Sequence, residues 1–145
     1  MGQLDMIWVK RTKHGPMDGR EAVDLVVGEG VVGNADTGGR RQVTILDAAR
    51  WAEACERLGR DVDPSSRRAN LLVSGIDLEG TKGRRLAIGA CVVLVNGETV
   101  PCEPLDASVP GIKAALEQDW AGGVYGQVVV GGAIAVGDPV AFETG

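Results

Sequence analysis

The sequence is poor in aromatic residues and in histidine: phenylalanine, tyrosine and tryptophan make up 3% of 145 residues, and there is a single histidine. One histidine cannot build a multi-histidine metal centre, and His14 stands beside Gly15 and Pro16 with no carboxylate at ligand spacing. It reads as a surface loop residue. Cysteine is also scarce. Cys55, Cys91 and Cys102 are odd in number and form no CxxC pair, which argues against a disulfide framework and against structural zinc. No apolar run approaches the roughly 20 residues that span a bilayer, and the N-terminus lacks the basic and then apolar order of a signal peptide. The expectation is a cytoplasmic protein without a membrane partner. Runs of like charge are missing too. With a formal charge of −5, the long-range field repels a phosphate backbone, so nucleic acid is not expected as a partner.

Glycine is what the chain has in excess. Its 22 glycines are about twice the usual share of roughly 7%. Glycine weakens helix interiors and permits tight turns, so the composition favours a turn-rich β architecture. Apolar segments fit that expectation. Strands are predicted over residues 4–9, 22–27, 41–46, 70–74, 85–88, 90–95 and 140–142, with a loop through His14-Gly15-Pro16 between the first two. Residues 124–130 and 133–136 flank Gly131-Gly132 and predict a hairpin, because a two-residue glycine turn accepts the positive φ such turns need. Helices are predicted over residues 48–58 and 110–120. The first has Asp47 as N-cap, Gly59 as its stop, and Trp51, Cys55 and Leu58 on one face. The second sets Ile112, Ala115, Leu116 and Trp120 at helical spacing. Short strands, regular turns and only two main helices predict a mainly β chain. We expect one domain over residues 1–145, a closed or nearly closed β-barrel, because closure hides strand edges.

Few motifs carry chemistry. Gly28, Gly30 and Gly33 spell GxGxxG, but Asn34-Ala35-Asp36-Thr37-Gly38-Gly39 cannot continue as the helix a dinucleotide site requires, so the glycines are assigned to turns. Asp77 and Glu79 are assigned to a solvated turn. Cys55 and Cys91 fall on apolar stretches, as small buried cysteines do. Cys102 differs, because Pro101 and Pro104 bracket it and suit a loop better than an interior strand. An accessible thiolate is both a nucleophile and a soft metal ligand. The alternative at this point is an ordinary loop cysteine.

The order of segments resembles the MOSC family, the module named for the C-terminal region of molybdenum cofactor sulfurases. The resemblance runs through Arg41-Gln42-Val43-Thr44, Arg68-Ala69-Asn70-Leu71-Leu72-Val73, Gly75-Ile76-Asp77-Leu78, Leu86-Ala87-Ile88-Gly89, Pro101-Cys102, and Gly122-Gly123-Val124-Tyr125-Gly126-Gln127-Val128. It implies a barrel that holds the molybdenum cofactor or handles the sulfur attached to it. On this likeness Cys102 would ligate molybdenum or carry a persulfide, Arg68 and Asn70 would hold the pterin's phosphate, and Thr99 and Arg41 would line the same pocket. Guanidinium offers a planar fork to phosphate oxygens, and an asparagine amide both donates and accepts. The likeness further implies a small oxidoreductase that reduces N-hydroxylated compounds with a separate electron donor, or a sulfur carrier served by a sulfur donor protein. The alternative is a non-catalytic module that uses the barrel to hold a pterin, another small ligand or a partner protein. That alternative draws on two departures. Where many relatives carry Gly-Asp-x-His and Arg-Glu-Asn, this chain reads Gly33-Asn34-Ala35-Asp36 and Arg68-Ala69-Asn70.

Overall fold

The computed structural model describes residues 2–99 and 109–143. Seven strands close into a barrel: β1 (Gly2–Lys10), β5 (Val43–Asp47), β6 (Leu71–Ser74), β7 (Arg85–Ile88), β8 (Cys91–Glu98), β9 (Val124–Val130) and β11 (Pro139–Phe142). The ring runs β11-β7-β8-β9-β5-β6-β1, and β1 returns to β11 through Gly2 opposite Val140. Outside it, β2 (Met17–Arg20) lies along β1. A separate three-stranded sheet contains β3 (Ala22–Val26), β4 (Gly30–Val31) and β10 (Gly132–Ala135). The closed β-barrel with few helices is the fold the sequence predicts.

Alternation along the strands builds two cores. Ile7 and Val9 of β1, Val43 and Ile45 of β5, and Leu71 and Val73 of β6 point into the barrel, while their chain neighbours Trp8, Leu46 and Leu72 face outward onto the helices. Each such side chain contributes about 1.5–3 kcal/mol when fully buried. Because β5 and β6 run parallel, their connection must cross over the sheet. Helix α1 (Ala48–Leu58) provides that crossover, and with α2 (Ile112–Leu116) it covers the outward face.

The boundaries of α1 follow from local chemistry. The Asp47 carboxylate accepts from the Ala49 and Arg50 amides, and Gly59 ends the helix at φ 82°. Trp51, Ala54 and Cys55 are buried, with Leu58 packed at their edge. Helix α2 is shorter than the predicted 110–120. Asp119 and Trp120 adopt left-handed φ values of 55° and 57°, which turn the chain back toward β9 and leave Trp120 against the barrel core.

Two further expectations are corrected. Residues 124–130 and 132–135 are both strands, but they do not form a hairpin: β9 has its two edges taken by β5 and β8, and β10 pairs with β3 in the small sheet. The Gly131-Gly132 step carries the chain out of the barrel, with Gly131 close against the Leu25 carbonyl. The stretch after His14-Gly15-Pro16 is not all loop, since β2 pairs with β1 from Lys10 opposite Met17 to Ile7 opposite Arg20. Its Met-Asp-Gly-Arg sequence has no apolar alternation because it is an edge strand on the surface. Of the three glycines of GxGxxG, Gly28 and Gly33 lie in turns while Gly30 begins β4, and all three take a positive φ.

Candidate functional site

Strand directions bring the site together. Parallel β5 and β6 begin at one end of the barrel, and β1, antiparallel to β6, finishes there. Side chains just before or at those ends therefore converge: Lys10 from β1, Arg41 and Thr44 around the start of β5, Arg68 and Asn70 before β6. They line a cavity of about 500 Å³, closed on one side by the turn through Asn34 and Asp36. Adjoining it is a notch of about 10 Å³ that shares Arg41, Thr44 and Arg68 with the cavity and adds Arg67, Thr99 and Gly122. Of the residues expected at the site, Arg41, Arg68, Asn70 and Thr99 thus come to one place. Cys102 and its flanking Pro101 and Pro104 lie outside the described residues.

Asn70 is committed within the protein. Its Oδ1 accepts from the amide and the hydroxyl of Thr44, both at 3.2 Å, and its Nδ2 donates to Trp8 O and Asn34 Oδ1, both at 3.2 Å. Asn34 Oδ1 also accepts from the Lys10 amide at 2.9 Å. The amide of Asn70 therefore ties three segments of the cavity wall together.

The two neighbouring arginines part company. Arg67 is buried, 9% exposed, and donates to Gly122 O at 3.1 Å and to Thr99 O at 3.0 Å. Arg68 takes a left-handed φ of 63° and is exposed, with one long hydrogen bond of 3.4 Å to Lys13 O. A non-glycine residue in that region is uncommon, and here it turns one guanidinium inward and the next toward the cavity. Arg41 lies over the Tyr125 ring, 5.9 Å from its centre. Sequence reasoning singled out Arg68 but missed Arg67 and Lys10, and a pair of adjacent arginines in a polar loop gives no sign of which one is buried.

The site is cationic within an acidic chain. Among the described residues, Lys10, Arg41, Arg67 and Arg68 line the cavity and notch, against the single carboxylate of Asp36. Asp36 is ion-paired with Lys10. That hydrogen bond, helped by the charges of Lys13 and Arg41, holds its carboxyl below the ordinary range despite partial burial. One polar group is left over. The Thr99 hydroxyl is buried and has no hydrogen-bond partner among the described residues. The remaining cysteines are inert by placement: Cys55 sits on the buried face of α1, and burial pushes the Cys91 thiol up. Among the described residues no group of side chains could hold a metal ion by itself, and no helix is long and apolar enough to cross a membrane.

The model of the MOSC domain family matches residues 25–141. The chain belongs to the MOSC family. Solved structures superpose along nearly all of it. The YuaD protein of Bacillus subtilis matches with a TM-score of 0.79 at 21% identity, covering 97% of this chain and 94% of that one. YiiM of Geobacillus stearothermophilus matches at 0.76 and 18% identity, covering 99% of this chain and 76% of its own. YiiM of Escherichia coli matches at 0.72 and 14% identity, covering 99% and 70%. At these identities the likeness is one of fold. No curated protein matches the chain.

Proposed function

We propose that this MOSC domain holds the molybdenum cofactor at the β1, β5 and β6 end of the barrel. The observation that carries the reading is the cluster of Lys10, Arg41, Arg67 and Arg68 around a cavity with one carboxylate among the described residues, in a chain of net charge −5. Such a focus of positive charge suits the pterin's phosphate. Arg68 and Arg41, both exposed at the cavity, would hold that phosphate. Asn70 would serve the site by fixing Thr44 and Asn34. The buried Thr99 hydroxyl is the unfilled donor expected of a ligand-binding wall. Cys102, three residues after Thr99 in the chain, would be the soft ligand to molybdenum or the carrier of a persulfide. When bound, the cofactor supplies metal-centred redox chemistry. An electron donor or a sulfur donor protein would be the partner.

Non-catalytic binding is the second reading, and one observation favours it. Among the described lining residues of the cavity, none is a histidine or a cysteine, and Asp36 is held in its charged form by Lys10. Proton donation near neutral pH therefore has no evident group in this wall. Production in a cofactor-synthesising host, followed by molybdenum analysis and pterin fluorescence, tests the proposal. Stoichiometric metal and pterin in the wild type, lost in Arg68→Ala, is the expected result. Wild-type protein that carries neither would reject it.

A further inference from the structure

The notch that adjoins the cavity is lined by Arg67, Thr99 and Gly122 together with Arg41, Thr44 and Arg68. Its volume of about 10 Å³ is near the lower limit for one water-sized atom. Thr99, which lines it, is 4% exposed. The backbone of Thr99 is clamped on both sides: its amide donates to Gly123 O at 2.8 Å, and its carbonyl accepts from Arg67 at 3.0 Å. Only the hydroxyl is left without a partner among the described residues. A threonine hydroxyl normally finds a local carbonyl, so a buried one left over on a fixed backbone calls for an explanation.

We infer that the notch is a one-oxygen pocket, which takes one oxygen of a tetrahedral oxyanion group while the remaining oxygens face Arg41, Arg68 and the cavity. The shape selects the anion. A planar carboxylate that placed one oxygen in the notch would have a single oxygen left for two guanidiniums. A tetrahedral group leaves three, enough for the forks of Arg41 and Arg68 together. The Thr99 hydroxyl donates to the inserted oxygen, and the Gly122 and Thr99 carbonyls hold the Arg67 guanidinium at the notch wall. A free oxyanion and a phosphate monoester on a larger ligand share this chemistry. The inference deepens the anion-binding part of the proposed function and does not need the pterin.

The test uses the full chain purified without cofactor, titrated calorimetrically with inorganic phosphate and with tungstate, and compared with Thr99→Val and Thr99→Ser. Valine keeps the shape and removes the donor. Binding of at least one anion by the wild type, weakened about tenfold or more in Thr99→Val and restored to within about threefold in Thr99→Ser, is expected for a hydrogen bond to a charged oxygen. Thr99→Val should also raise the melting temperature of the ligand-free protein by about 2–6 °C, because it removes a buried unsatisfied hydroxyl. Equal affinity in wild type and Thr99→Val overturns the inference, as does a wild type that binds neither anion, whether or not the chain loads cofactor. Loading of Thr99→Val in a cofactor-synthesising host separates the sources. Loss of both free-anion and cofactor binding puts the ligand's own phosphate in the notch, whereas loss of free-anion binding alone leaves the notch standing as a site for small oxyanions.

Discussion

The side-chain amides of Asn70 and Asn34 meet, Nδ2 to Oδ1 at 3.2 Å, and this contact ties the turn after β4 to the strand start that carries Arg68. Asn70 uses its whole amide in this way, on Thr44, Trp8 and Asn34. Asn70→Ala would leave several buried groups unpaired, and we predict a loss of about 2–4 kcal/mol in urea unfolding. Asn34→Asp keeps the acceptor and loses only an exposed donation to Asp36 O, so it should cost less than about 1 kcal/mol. Equal effects of the two substitutions would show that the contact does not organise the wall.

Arg68 offers a separation of stability from binding. Its exposed side chain makes one long hydrogen bond, and its backbone is left-handed at φ 63°. Arg68→Gly should fold with stability within about 1 kcal/mol of the wild type, since glycine adopts that backbone freely. Both Arg68→Gly and Arg68→Ala should reduce cofactor retention roughly tenfold to a hundredfold, the worth of about 1.5–3 kcal/mol for a charge-assisted bond. Molybdenum content after dialysis reads the effect, and unchanged content in Arg68→Gly would remove Arg68 from the site.

Two carboxylates push the acid response in opposite directions. Lys10 lowers the Asp36 carboxyl, so its contribution is present above the ordinary carboxylate value and is lost as pH falls through the lower folded value. Burial raises the Asp47 carboxyl despite its bonds to backbone amides, so its contribution is present below the ordinary value and is lost as pH rises through the folded one. Asp36→Asn should therefore lessen acid destabilisation, and Asp47→Asn, which keeps a good N-cap, should steepen it. Melting temperatures across the carboxylate range would show both slopes, and a shared sign would contradict this assignment.

Thiol labelling separates the cysteines. Cys91 is fully buried and Cys55 is 8% exposed, so neither should react in the native protein within the time that labels a surface thiol. We predict that a single cysteine is modified, and that Cys102→Ser abolishes the modification while keeping the fold. Mass spectrometry of native wild type and mutant gives the answer, and a protected Cys102 would end its proposed role as ligand or sulfur carrier.

Local pattern in the sequence determined the elements. Asp47 and Gly59 bound α1 because capping is a matter of a few adjacent residues, and Arg85–Ile88 is a strand because its alternation and flanking glycines are likewise local. The abundance of glycine and of short apolar runs predicted the barrel class, and the order of motifs predicted the family. Partner choice was not legible. Alternation says which face of β9 is buried but not that β5 and β8 occupy its edges, so β10 went to β3 instead of folding back. Nor could sequence tell Arg67 from Arg68, because one left-handed φ, tolerated only in the folded context, sends one guanidinium to the Thr99 and Gly122 carbonyls and the other to the cavity. Lys10 joined the site only because antiparallel β1 ends where parallel β5 and β6 begin. Propensities act over a few residues, whereas strand pairing and the burial of charge are settled by contacts between residues far apart in the chain, and those exist only once the barrel has closed.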